Sequence, residues 1–313
     1  MMKILKIGGI ILLVIIIAVV VFVIIASKMQ SAPKEYWNNT KSEVSIEKKY
    51  NNLGKYEFEK KEYEAPKDER DKNDNHFVVW YPKEKGTYPL IVMVNGTGVP
   101  CNKYEEVFKH FASWGYVVIG NDYGTNWDGK HPSESLDFAL NTKEIADMID
   151  KDKIAIGGHS QGGMGTFNAV NEYDNGKLYK ALFSLSPTNR DLGISLQWGF
   201  NLGSDTEYAY KLDTINIPTI IIAGTGPFDN DTVSPLAEME KAYNELNTDK
   251  VMMRRSNNID HGAILYEVNG YVLAWLDYYL KDRKENEKAF YGDDAEIYNN
   301  KRYQDVKSYK LTR

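Results

Sequence analysis

The chain has 313 residues and a net charge of −6, with 38 lysines and arginines against 44 aspartates and glutamates. That balance, without a Lys/Arg cluster, excludes nucleic acid as the expected partner. Hydrophobic residues make up 42%, enough for one sizeable α/β domain with appendages, and a single cysteine, Cys101, excludes an intrachain disulfide.

Lys3 and Lys6 precede an unbroken apolar run over residues 7–26. A run of about 20 apolar residues crosses a hydrocarbon core as a helix. A cleavable signal would have a shorter apolar core and a small-residue cleavage site. Residues 7–26 are therefore expected to form an uncleaved transmembrane signal anchor, with residues 1–6 in the cytoplasm. The expected location is the cell membrane, single-pass, with the catalytic domain extracytoplasmic. Residues 27–52 are polar and predict a linker.

Beyond the linker, residues 55–64 alternate aromatic and charged side chains, and residues 76–82 form the next run. Both read as strands. Pro89-Leu90-Ile91-Val92-Met93-Val94 is apolar throughout, as expected of a strand buried on both faces. It runs into Asn95-Gly96-Thr97-Gly98, a Gly-rich turn. Residues 104–114 are an amphipathic helix and 116–120 another buried strand. Ser133 or Ser135 can cap a helix extending to about residue 149, with a break near Asn141. Strands follow at 153–157, 179–185, 217–224 and 251–253, and a helix at 264–281. Residues 189–210 have no clear period and suit either a lid or a surface excursion. Strands alternating with helices predict a mostly parallel, eight-stranded sheet flanked by helices. The catalytic domain is placed at 53–285. Residues 286–313 are an extension packing on it as a short helix or irregular structure.

The chemistry centres on Gly158-His159-Ser160-Gln161-Gly162. An apolar strand precedes it and a helix follows, the context of a nucleophile elbow. A serine hydroxyl needs a base to take its proton and a carboxylate to orient that base. In this arrangement the chain order is Ser, acid, His. Ser160 follows the fifth strand, Asp229 and Asp231 follow the seventh, and His261 follows the eighth. Among the histidines, His76 begins a strand and His110 lies on a helix. His159 sits inside the elbow, and His131 lies in a polar loop as the reserve base. Asp231, where the chain turns into a helix, is preferred over Asp229 as the acid. Asp260 is a poor orienter because adjacent side chains diverge. The backbone N–H groups of Thr97, in the loop after the third strand, and Gln161, after the nucleophile, are the expected oxyanion hole.

With these residues placed, the chain resembles the α/β-hydrolase family, and more narrowly its dienelactone hydrolase, cutinase and polyesterase-lipase branch. The resemblance rests on residues 89–98, 115–122, 153–166, 217–235 and 275–280. Asp231-Thr232-Val233-Ser234-Pro235 is similar to the acid motif of cutinase-like polyesterases, which supports Asp231. The chain departs from the branch in having Ser160 where dienelactone hydrolases proper hold cysteine. It also has Asn95 where histidine or proline is frequent, and no aromatic after Pro187. The expectation is a serine hydrolase cleaving carboxylic esters through a Ser160-His261-Asp231 triad and an acyl-enzyme. It would need no cofactor and no metal, and would act as a monomer on a small-molecule, lipid or polymer ester. The alternatives are a catalytically silent envelope binding protein of the same fold, or an acyltransferase or amidase using the same triad.

Overall fold

Strands that are apolar on both faces need a covering layer on each side. The computed structural model describes residues 31–67, 75–199 and 210–311. In chain order these form α1 (Ser45–Asn51), β1 (Phe58–Glu64), β2 (His76–Pro82), β3 (Tyr88–Val94), α2 (Glu105–Ser113), β4 (Val117–Asn121), α3 (Lys130–Asn141), β5 (Ile149–His159), α4 (Gln161–Glu172), β6 (Tyr179–Leu185), α5 (Arg190–Gly199), β7 (Thr219–Gly224), α6 (Leu236–Glu245), β8 (Lys250–Arg255), α7 (His261–Glu267), α8 (Asn269–Leu280) and β9 (Tyr303–Tyr309). Period-two alternation splits the core into two layers. Ile91, Met93, Val118, Phe183 and Ile222 face α2 and α8. Leu90, Val92, Ile119, Leu182 and Ile221 face α3, α4 and α6.

The strands form one sheet in the order β1-β2-β4-β3-β5-β6-β7-β8-β9. Pairing is parallel from β4 through β8 and antiparallel at β1/β2, β2/β4 and β8/β9. The sheet is therefore mixed and nine-stranded rather than mostly parallel and eight-stranded. The extra strand, β9, comes from the carboxyl-terminal extension. Its charged sequence suits an edge strand, where one row of backbone groups faces water. The expected helix over 264–281 is two helices, α7 and α8, interrupted at Val268. The helix expected to run from Ser133 or Ser135 to about residue 149 starts at Lys130, after Gly129 at φ 80°, and breaks after Asn141, with one short turn at Lys143–Ala146 before β5 begins.

The linker expectation for residues 27–52 also fails from residue 31 onward. Tyr36, Tyr50 and Glu47 are buried. Tyr36 Oη hydrogen-bonds His110 Nδ1 at 2.7 Å, and Tyr50 Oη donates to Asp277 at 2.9 Å. Glu47 lies against the carboxyl-terminal extension. Its carboxylate accepts from Asn300, Arg302 and Tyr303 at 2.7, 2.6 and 2.7 Å. Glu296 in turn accepts from the Ile46 and Glu47 amides at the start of α1, where a negative charge is favoured. The two extensions therefore brace each other.

The single-pass membrane location is withdrawn, because no helix among the described residues is long and apolar enough to cross a membrane. Residues 7–26, where the anchor was expected, lie outside the described residues.

Glu47→Ala would leave three donors unmatched. It is expected to cost about 3 kcal/mol, at the upper end for orphaned buried groups, seen as a lower urea midpoint. Exposed Lys48→Ala should stay within about 0.5 kcal/mol. Equal midpoints for the two variants would contradict the bracing role.

Candidate active site

The carboxyl ends of β3, β5, β7 and β8 point to one edge of the sheet, the usual place for a site in open α/β folds. The elbow stands at its centre. Ser160 has φ 62° and ψ −125°, a conformation L-residues seldom adopt, stored as local strain. The turn closes only because its flanks are glycine. A Cβ on Gly158 would lie 2.2 Å from Gly162 O, and one on Gly162 would lie 2.2 Å from Val94 O. The second contact also fixes the distance between the elbow and the loop after β3. Ser160 N–H donates to Leu185 O at 2.9 Å, so β6 holds the elbow from the other side. Gln161 opens α4, and the first amides of a helix have no intrahelical acceptor.

In the loop after β3, Asn95 folds the chain back on itself, its side-chain amide donating to Val99 O and Tyr123 O. Gly96 N–H donates to Tyr104 Oη at 3.0 Å and Gly98 N–H to Gly124 O at 2.9 Å. Thr97 lies exposed between them, with no partner for its amide among the described residues. Gln161 accepts the Asn126 amide on its side-chain oxygen at 2.9 Å, which ties the loop after β4 to the elbow.

The carboxylate that meets His261 is Asp229, not the preferred Asp231. His261 Nδ1 and Asp229 Oδ1 are 2.6 Å apart, and both side chains are buried. The other Asp229 oxygen accepts from Ser186 Oγ and from Gly224 N–H. Asp231 is exposed and accepts from Asn230. The reason lies in the turn at Asp229–Val233, closed by a bond from Ser234 N–H to Asp229 O. On such a turn residues i and i+2 point to opposite sides, so 229 faces the sheet edge and 231 faces water.

His261 Nδ1 donates to a carboxylate, so Nε2 carries the lone pair of the neutral ring. Nε2 is buried with no partner among the described residues. The other histidines are engaged elsewhere. His110 bonds Tyr36 and Asn52, and burial pushes it down to about 4. His131, the reserve base, stacks on Tyr123 at 3.7 Å between centroids and bonds Glu134. His76 faces Asp122. His159 is bound at both nitrogens, to Tyr104 Oη and His261 O.

Sequence reading missed several residues that shape this corner. Ser186 holds a positive φ of 41° after β6 and turns its hydroxyl onto Asp229. Asp260 does not orient the His261 ring, as anticipated, but its carboxylate accepts the His261 and Asp229 backbone amides at 2.9 and 3.4 Å. Phe228 stands edge-on to the His261 ring, 5.2 Å between centroids at 87°. Ser-Pro and Asp-His pairs carry no sequence signal for such roles.

Burial alone would raise the Asp229 carboxyl. Its bonds from His261, Ser186 and Gly224, with the charge on His261, outweigh that and hold it below its ordinary value. A group depressed in the folded state adds stability above its unfolded pKa, about 3.9 for Asp. That stability is lost as pH falls through the lower folded value. The stability gap between the protein and Asp229→Asn, read from urea midpoints, should therefore shrink from pH 6 to pH 3. A gap that stays constant or widens on acidification would contradict the depressed carboxyl.

Comparison with known proteins gives the family. The chain is 27% identical over 218 residues to cutinase est1 of Thermobifida alba, covering 66% of this chain and 65% of that protein. It is 27% identical over 180 residues to cutinase 2 of Thermobifida cellulosilytica, covering 55% and 59%. It is 27% identical over 129 residues to chlorophyllase type 0 of Chenopodium album, covering 35% and 37%. The chain thus spans less than two thirds of the length of each of these relatives. The family model described as Chlorophyllase matches residues 46–245, from α1 to the end of α6 and including the elbow and Asp229. The chain has an α/β-hydrolase fold, is related to the cutinase branch, and belongs to the chlorophyllase family.

Proposed function

We propose that the protein is a serine hydrolase of carboxylic esters with Ser160 as nucleophile, His261 as base and Asp229 as the orienting acid. The observation that carries this reading is the His261 ring. Asp229 fixes its Nδ1, and its Nε2 has no partner among the described residues at the sheet edge where the elbow raises Ser160. No Ser160–His261 hydrogen bond is present among the described residues; such bonds often form or tighten only when substrate binds.

In the proposed reaction Ser160 Oγ attacks the ester carbonyl and His261 Nε2 takes the hydroxyl proton. Negative charge gathers on the carbonyl oxygen, where the Thr97 and Gln161 amides donate to it. Such preorganised donors usually supply the largest share of the rate. The tetrahedral adduct collapses and His261 returns its proton to the departing alcohol. A water then attacks the acyl-serine, giving its proton to the same nitrogen; the second adduct collapses, His261 Nε2 returns that proton to Ser160 Oγ, and the carboxylic acid leaves. Asp229 keeps the ring in the Nδ1–H tautomer and stabilises its charged form throughout. Phe228 from the acid loop forms one wall beside the base.

The relatives named cutinases and chlorophyllase set the substrate panel: nitrophenyl esters of graded acyl length, cutin and chlorophyll. Hydrolysis of at least one ester by the full chain, falling to background in Ser160→Ala, is the expected result. No difference between the two proteins would overturn the reading. Asp229→Asn should lower kcat by on the order of 10⁴-fold through the wrong tautomer. Asp231→Asn should leave it within about threefold, as for a surface group away from the chemistry. The reverse order would return the acid role to Asp231.

A further inference from the structure

His159 precedes the nucleophile, yet it has no access to solvent and none to a substrate. Its ring lies 4.5 Å from the His261 ring between centroids and makes two hydrogen bonds. Nε2 is 2.8 Å from the His261 carbonyl oxygen, and Nδ1 is 3.0 Å from Tyr104 Oη. A carbonyl can only accept, so Nε2 must carry the hydrogen. In the neutral ring Nδ1 then accepts, and Tyr104 O–H must donate to it. The same Tyr104 oxygen accepts Gly96 N–H at 3.0 Å. The bonds therefore all run in one direction: Gly96 N–H to Tyr104, Tyr104 O–H to His159 Nδ1, and His159 Nε2–H to the His261 carbonyl. The Tyr104, His159 and His261 members of the chain are all buried.

We propose that His159 is a positioning residue, a neutral strut with a fixed tautomer that locks the backbone of the base loop at His261 and the oxyanion loop at Gly96 to the elbow. The catalytic consequence rests on the hydrolase reading above, while the strut itself does not. Gly96 is one residue from the Thr97 amide, and the His261 carbonyl belongs to the base itself. One side chain thus sets the spacing of the oxyanion donor, the nucleophile and the base. Burial, with the His261 imidazole nearby, pushes His159 down to about 3, so the strut remains uncharged at neutral pH. The hydrogen bond to the His261 carbonyl and the Asp229 charge oppose that shift without reversing it. A protonated His159 would put a second donor against the Tyr104 hydroxyl, which would then have to turn away.

The test compares the full chain with His159→Phe, His159→Gln and Tyr104→Phe. Phenylalanine keeps ring bulk and removes both bonds, whereas glutamine keeps one donor and one acceptor. The kinetic readout is nitrophenyl ester hydrolysis, normalised to folded protein. His159→Phe should lose kcat by about tenfold to a hundredfold with KM little changed, the scale of a small misplacement of reacting groups. Glutamine should recover most of that loss. The structural readouts are the imidazole nitrogen signals of His159 and exchange of the Gly96 amide. The proposal requires an Nε2–H tautomer that does not titrate across the neutral range, and faster Gly96 exchange in both His159→Phe and Tyr104→Phe. Tyr104→Phe serves where His159→Phe does not fold. An Nδ1–H tautomer, unchanged Gly96 exchange, or a kcat loss that glutamine does not recover would overturn the strut. Absence of ester turnover in the unaltered protein would instead defeat the hydrolase reading, and the nitrogen and exchange signals would still decide the strut.

Discussion

A buried carboxylate is costly unless donors replace the water it gives up. Asp229 is fully buried, and its two oxygens take hydrogen bonds from the His261 ring, the Ser186 hydroxyl and the Gly224 amide. Those donors come from the ends of three strands, β8, β6 and β7. Satisfying one carboxylate therefore fixes three loops against each other. The orientation of His261 follows, and so does the direction of its Nε2. The positive φ of Ser186 is the backbone strain accepted to bring its hydroxyl there.

The elbow contributes a complementary constraint, made of close contact rather than charge. Gly158 and Gly162 bring the start of α4 against the backbone at Val94, so the nucleophile and the loop after β3 cannot separate without breaking the turn. Asp260 adds a hydrogen-bonded tie on the His261 side, its carboxylate bridging the amides of Asp229 and His261. The rest of the fold supports this edge from a distance. The five parallel pairings from β4 to β8 line up the strand ends. The two terminal extensions close the molecule through Glu47, Arg302 and β9.

Much of this was legible in the sequence because its signals are local. The strand before Ser160, the glycines around it and the helix after it identify the elbow within about ten residues. The order Ser, Asp, His singled out His261, whose ring meets a buried carboxylate, and the continuous apolar runs identified the central strands. The carboxylate that meets His261 was not the preferred one, because residues 229 and 231 differ only in which side of one wide turn they occupy. That side depends on the pitch of the turn, which the Asp-Thr-Val-Ser-Pro motif does not reveal. The packed amino-terminal segment and the carboxyl-terminal strand β9 were missed for another reason. Glu47 and Arg302 look like solvated charges in the chain, but they neutralise each other across more than 250 residues. A long-range pair leaves no periodic trace. Tyr303, next to Arg302, sits likewise among polar and charged residues and is nevertheless buried on Glu47.

The account depends on Ser160 being activated by His261. The most direct measurement is stoichiometric labelling with a fluorophosphonate, located by peptide mapping. One label per chain on Ser160, abolished in His261→Ala and strongly slowed in Asp229→Asn, is the predicted result. No label on Ser160, or labelling that is indifferent to His261, would contradict it.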